Sequence, residues 1–236
     1  MILTRLPVGH GTSGPGTTFA RAVWAYPIAG VLIGAIGGAV FAAGILLHLP
    51  AGIAAAVALA AAMLASGAIH EDGLADFCDG LGGGRDREAK LAIMRDSRIG
   101  AYGTLALIIS SVLRWSALAA LAEPGLVLMV WVAAGALSRG AVALPLMLLP
   151  PARSDGLGVQ AGSPPVWSVV GAGVIAIVVA GSLLGLMALW LLIAALVAAI
   201  MVTQLARHYL GGQTGDVLGA CALSAECLVL LVASVR

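Results

Sequence analysis

Two stretches of this chain, residues 22–70 and 156–206, contain no Asp, Glu, Lys or Arg. Each is about 50 residues long, whereas about 20 apolar residues cross the hydrocarbon core of a bilayer, so each must hold two helices. A soluble domain carries about 25% charged residues; this chain has 10%, with 61% hydrophobic. The expected fold class is therefore all-α: a polytopic membrane helix bundle of about seven transmembrane helices, forming one membrane-embedded domain over residues 1–236. The segments fall near residues 19–47, 51–69, 101–122, 125–149, 166–184 and 186–209, with a last helix ending near Ser234. Residues 51–69 are rich in Ala, which allows close helix packing in lipid. The apolar stretch beginning near Phe19 is too long for the core of a cleavable signal peptide.

Of the 12 Lys and Arg and the 11 Asp and Glu, more than half lie in one segment, residues 69–103. With the N-terminus in the cytoplasm, Arg5, Arg21, Arg85, Arg87, Lys90, Arg95, Arg98, Arg153 and Arg207 all fall inside, and Arg236 alone falls outside. Three polar loops then share the cytoplasmic face of an inner membrane, and a single active site can draw on all of them. The net charge of +1 excludes the concentrated basic surface that nucleic acid requires. The three cysteines, Cys78, Cys221 and Cys227, are odd in number and lack metal-ligand spacing, so a disulfide framework is not expected.

Within residues 69–103, Asp72, Asp76 and Asp79 stand at i, i+4 and i+7 and line one face of a helix. Like charges so placed repel unless a cation lies between them. Hard carboxylate oxygens suit Mg²⁺, which is usually held by one or two carboxylates together with substrate phosphates. Gly80 and residues 82–84 are expected to end the helix and let backbone approach a ligand. Arg85, Arg87, Lys90, Arg95 and Arg98 follow, and such side chains hold phosphate oxygens. The combination points to a pyrophosphate or nucleotide site. A loop that only sets topology needs Lys and Arg, not a row of acids.

Two further charges fall inside apolar segments. Arg139 and Glu226 each lie about ten residues from a cytoplasmic end, a depth of roughly 15 Å at 1.5 Å per residue. Unpaired charge is costly there, so the two are expected to pair, with Arg114 competing for Glu226.

The motifs that carry a wider likeness run nearly end to end. They are Arg5-Leu6-Pro7; His70-x-Asp72-Gly73-Leu74-Ala75-Asp76-x-x-Asp79-Gly80; Gly83-Gly84-Arg85-Asp86-Arg87-Glu88; and Asp96-Ser97-Arg98-Ile99-Gly100-Ala101-Tyr102-Gly103. Further along come Ser138-Arg139, Gly156-Leu157-Gly158 and Leu210-Gly211-Gly212-x-Thr214-Gly215-Asp216. In these the chain resembles the cobalamin synthase family, the adenosylcobinamide-GDP ribazoletransferases of bacterial and archaeal membranes. The resemblance implies a Mg²⁺-dependent enzyme with adenosylcobinamide-GDP and α-ribazole, or α-ribazole 5′-phosphate, as substrates. A ribose hydroxyl attacks the phosphorus on the cobinamide side and expels GMP. On this likeness Asp72, Asp76 and Asp79 are expected to bind the metal, and Asp96 to be a further ligand or the general base, with His70 a second base candidate. Arg85, Lys90, Arg95, Arg98, Thr214 and Asp216 are expected to bind substrate. Asp216 is equally suited to cap the last helix.

Two rival readings remain at this point: a Mg²⁺-dependent intramembrane prenyltransferase, and a cation or metabolite transporter. The first uses two Asp-rich motifs, and Asp216 alone is a poor second one. The second would spread acids along a path, whereas here they cluster near one membrane face. Membrane lipid surrounds the protein on any reading, and the sequence leaves a homo-oligomer open.

Overall fold

A computed structural model describes residues 20–154 and 162–235. The motif residues Arg5-Leu6-Pro7 and Gly156-Leu157-Gly158 lie outside the described residues. A short 3-10 turn, Val23–Ala25, leads into α1 (Tyr26–Leu46), followed by α2 (Ala51–Ser66), α3 (Ile69–Gly83), α4 (Arg87–Ile93) and α5 (Ala101–Leu121). Next come α6 (Pro124–Ala141), α7 (Ala143–Leu148), α8 (Val166–Leu184), α9 (Met187–Leu210) and α10 (Gly215–Ser234).

Among the described residues, six spans are long and apolar enough to cross a bilayer: Val23–Leu46, Ala101–Leu121, Pro124–Leu148, Val166–Leu184, Met187–Leu210 and Gly215–Ser234. Taken together, α2 and α3 also pass this test of length and composition, although they bend by 88° where they meet, so the count is six or seven. The expected segment 51–69 therefore ends early. Gly67 (φ 70°) and Ala68 (φ 54°) both adopt left-handed backbone, which stops α2 and turns the acidic segment into a helix of its own. The expected segment 125–149 is also broken, between α6 and α7. Pro145 has no N–H to offer the carbonyl four residues earlier, and that carbonyl, on Ala141, accepts the Cys221 thiol instead at 3.7 Å.

The bundle is held by small residues inside and apolar residues outside. Gly30 of α1 meets Gly135 of α6 so closely that a Cβ on either would overlap the other's carbonyl, and Gly34 and Gly37 pack on Trp131, which is wholly buried. Lipid offers no hydrophobic drive between helices, so this close backbone approach supplies the packing attraction. Ile108, Ile109 and Val112 of α5, Val174 and Val178 of α8, and Leu189, Ile193 and Ile200 of α9 are exposed, the apolar belt that a bilayer covers.

Where α3, α5, α6 and α10 meet, the interior is charged. Glu71, Arg114, Arg139 and Glu226 are all buried. Arg139 pairs with Glu226 Oε2, Arg114 Nη1 donates to Glu71 Oε1 at 2.9 Å, and Arg114 Nη1 also lies 3.7 Å from Glu226 Oε1. Trp131 Nε1 donates to Glu226 Oε1 at 3.4 Å. The expected Arg139–Glu226 pair forms, and Arg114 reaches Glu226 as well. Glu71 completes a group of two cations and two anions, so no net charge is left in the membrane interior.

Candidate active site

The acidic helix α3 is fixed at three places along its length. Its first turn is tied through Glu71 to Arg114 of α5. Its middle crosses α10 at Gly73 and Gly219, where a Cβ on either would press on the other's Cα. Its last turn is tied through Asp79, whose carboxylate accepts the N–H of Gly100 at 2.7 Å and of Gly103 at 2.8 Å. Those amides belong to the N-terminal end of α5, where free N–H groups and the helix dipole favour an anion. A Cβ at Gly100 or Gly103 would strike the Asp79 carboxylate, which explains both glycines of the Ile99-Gly100-Ala101-Tyr102-Gly103 run.

Asp72 and Asp76 lie between these anchors, the first exposed and the second half-buried. The crossing brings α10 alongside, and Asp72, Asp216 and Asp79 all act electrostatically on Asp76. Asp79, however, is buried and has both oxygens engaged by amides. Of the three acids expected to line one helical face, Asp72 and Asp76 stand near Asp216 of α10, while Asp79 is turned to the α5 amides. Among the described residues no three His, Cys, Asp or Glu side chains come together as a group that could hold a metal ion by themselves. Mg²⁺ does not require one, because it keeps several waters and takes one or two carboxylates plus phosphate oxygens. This donor set fits such an ion.

The glycine run behaves differently from expectation. Gly80, Gly82, Gly83 and Gly84 all keep negative φ, and α3 continues through Gly83. The space a side chain would fill at Gly80, Gly82 and Gly84 is taken by Met94, Tyr102 and Lys90. The glycines let α4 and α5 pack on α3, and do not form a ligand cradle.

Lys90 is buried. Its ammonium donates to Leu81 O at 2.9 Å and to Gly84 O, satisfying carbonyls at the α3 C-terminus, and lies 5.3 Å from the Tyr209 ring centroid. Thr214 is the N-cap of α10, its hydroxyl accepting from Val217 N at 3.3 Å and donating to Asp216 Oδ2 at 3.2 Å. The capping role foreseen for Asp216 thus falls to Thr214, and Asp216 in the first turn stays directed at the acid group. Lys90 and Thr214 build the site's frame and do not reach into it.

Arg85, Arg95 and Arg98 are exposed on the loop face. Asp96 is held by Arg98, whose Nε lies 3.0 Å from Oδ1 and whose Nη2 lies 2.6 Å from Oδ2. The guanidinium pulls the Asp96 carboxyl down to about 2. A carboxylate so gripped is a weak base. His70 lies at the opposite end of α3, buried beside the interior charges, and neither ring nitrogen has a hydrogen-bond partner among the described residues.

Three loops close over this face. Gln213 N donates to Pro150 O and Ala152 N to Gln213 O, each at 2.8 Å, pairing the second and third loops. Arg87 bridges them to the first: Nε donates to Leu210 O and Nη2 to Ala152 O, each at 2.7 Å. Arg153 reaches inward. Its Nη2 donates to Leu91 O at 2.9 Å, its Nη1 lies 3.6 Å from Asp216 Oδ2, and its charge opposes those on both Asp76 and Asp216. Sequence reasoning did not single it out, because one Arg in a loop has no spacing to mark it.

A family model described as cobalamin-5-phosphate synthase matches residues 1–234. A protein named adenosylcobinamide-GDP ribazoletransferase from Bradyrhizobium diazoefficiens is 49% identical over 233 residues, covering 98% of this chain and 90% of its own. Proteins of the same name from Mesorhizobium japonicum and Sinorhizobium medicae are 45% and 44% identical, over 100% and 97% of this chain and 90% and 91% of theirs. No solved structure matches. A match of this extent, over an acid-bearing helix and three joined loops, leaves one conclusion about kinship: the chain belongs to the cobalamin-5-phosphate synthase family.

Proposed function

We propose that the chain is an adenosylcobinamide-GDP ribazoletransferase, the activity its relatives are named for, working at the cytoplasmic face of an inner membrane. The donor is adenosylcobinamide-GDP and the acceptor α-ribazole or α-ribazole 5′-phosphate. A ribose hydroxyl oxygen forms a bond to the cobinamide-side phosphorus, and the bond from that phosphorus to the bridging oxygen breaks. GMP leaves with that oxygen, and the hydroxyl proton passes to a base. The observation that carries this reading is the convergence of all three polar loops on Asp72, Asp76 and Asp216 at the α3–α10 crossing. Among the described residues, only there do acids from two helices and basic residues from two loops share one face.

Phosphoryl transfer is mostly positioning and charge stabilisation. Asp72, Asp76 and Asp216 would hold Mg²⁺, which when bound neutralises charge on the diphosphate oxygens. Asp79, by fixing the end of α3 to α5, keeps Asp72 and Asp76 in register with Asp216. Arg85, Arg95 and Arg98, exposed at the rim, are suited to phosphate oxygens and to the departing nucleotide. The placement of Arg87, Lys90 and Arg153 on the loop face supports a cytoplasmic site. Purified protein given adenosylcobinamide-GDP and α-ribazole should release GMP in proportion to corrinoid product, and should form nothing from prenyl diphosphates. Absence of GMP with both acceptors would refute the assignment.

A further inference from the structure

Arg153 is oriented as a ligand-binding side chain, although its surroundings have the form of a structural staple. Its Nη2 is satisfied by Leu91 O at 2.9 Å. Its contact with Asp216 is a loose one at 3.6 Å, longer than a charge-assisted hydrogen bond of about 2.7–2.9 Å. Its Nε–H is shielded from solvent and has no acceptor among the described residues, although guanidinium N–H groups buried in proteins are normally all matched. The side chain is mostly buried, at 15% exposure, so water does not hold that donor. It is also the cation acting on both Asp76 and Asp216.

We propose that Arg153 binds the diphosphate of the nucleotide-linked donor. Its unmatched Nε–H and the Nη1 now facing Asp216 take non-bridging phosphate oxygens while Leu91 O keeps the guanidinium in place. The two donors point from different edges of the rigid guanidinium plane and so suit oxygens on the two phosphates of a diphosphate, and binding would release Asp216 from Arg153 so that the carboxylate is free for a cation or a ribose hydroxyl. This rests on the transferase reading above, and the same acceptors test it. The phosphate concerned could belong to the donor's diphosphate or to the acceptor's 5′-phosphate; the inference commits to the donor.

The experiment compares Arg153→Gln and Arg153→Lys with the parent, measuring GMP release with α-ribazole and separately with α-ribazole 5′-phosphate. Thermal unfolding is followed on the same preparations. Loss of a preorganised donor to a phosphoryl oxygen lowers the rate by about 10²-fold, so Arg153→Gln should fall by that factor with either acceptor. Arg153→Lys, which keeps the charge but loses the rigid planar set of donors, should fall by at least about tenfold. Added guanidinium should restore part of the Arg153→Gln rate. A loss confined to the phosphorylated acceptor would overturn the assignment to the donor. So would a lower unfolding temperature with unchanged kcat/KM in the folded fraction, or a parent-like Arg153→Lys. If the parent itself releases no GMP, the transferase reading fails; if only the variants behave as parent, this inference alone fails.

Discussion

Glu226→Gln removes the anion shared by Arg139 and Arg114, and its cost follows from which pairs remain. Arg114 keeps Glu71 at 2.9 Å, so Arg139 is the charge left without an acid. Breaking a buried pair by deleting one member costs about 3–5 kcal/mol, because the other charge stays desolvated. For a chain of this length each kcal/mol moves Tm by about 2–4 °C, so Tm should fall by roughly 6–20 °C. Arg139→Gln/Glu226→Gln removes the whole pair and leaves Arg114–Glu71 intact. Replacing a buried pair by uncharged groups is often near neutral, so the double variant should recover most of the loss. Unfolding in detergent, followed by tryptophan fluorescence, reads this directly, since Trp131 donates to Glu226. A double variant that falls as far as the two single losses added together would refute the pairing argument. In that case each residue would act through contacts other than the ion pair.

Asp72→Asn and Asp76→Asn should lose GMP release. The Asp72→Asn loss should be partly recovered by raising Mg²⁺, because a weakened metal site refills at higher concentration. Asp79→Asn should instead lower thermal stability by about 1–2 kcal/mol as a lost helix cap, with no recovery by Mg²⁺. Gly103→Ala should be worse, since its Cβ meets the Asp79 carboxylate, whereas Gly173→Ala, with nothing within 4 Å of the new Cβ, should be neutral or slightly stabilising; Tm separates them. Asp96 has a depressed native pKa of about 2, so whatever its pair with Arg98 contributes is complete above the ordinary carboxylate value of about 3.9 and is lost only as pH falls toward the native value. Arg98→Ala should therefore leave the shape of the rate–pH profile between about pH 5 and 9 unchanged; an inflection that shifts in the variant would return Asp96 to the role of base.

Crossings were legible because long uncharged runs have no other use in a chain of this kind. The 166–184 segment matches α8 residue for residue. The breaks were less legible. Nothing in the Ala-rich run before Gly67 marks a turn of 88°, because left-handed backbone at Ala68 is imposed by where α3 must pack. At the site, spacing placed three acids on one helical face, but a carboxylate has the same spacing whether it meets a metal ion or the amide end of another helix. Asp79 took the second option, and only the positions of Gly100 and Gly103 in space reveal it. In the same way Lys90 and Thr214 carry donors that suit a substrate, yet the nearest carbonyls and amides belong to the protein. Glu71 was hidden by its neighbours: beside Asp72 it reads as one more acid of the row, whereas a turn of about 100° per residue points it into the bundle at Arg114.

The central claim is that the diphosphate is held where α3 crosses α10. The most direct test is a structure of the protein with Mn²⁺ and a non-reactive donor analogue, with the ion located by its anomalous signal. The account predicts the ion within about 2.0–2.3 Å of oxygens from Asp72, Asp76 or Asp216, bridging to the diphosphate. An ion and diphosphate seated at Asp96 and Arg98, or beside His70 in the bundle interior, would contradict it.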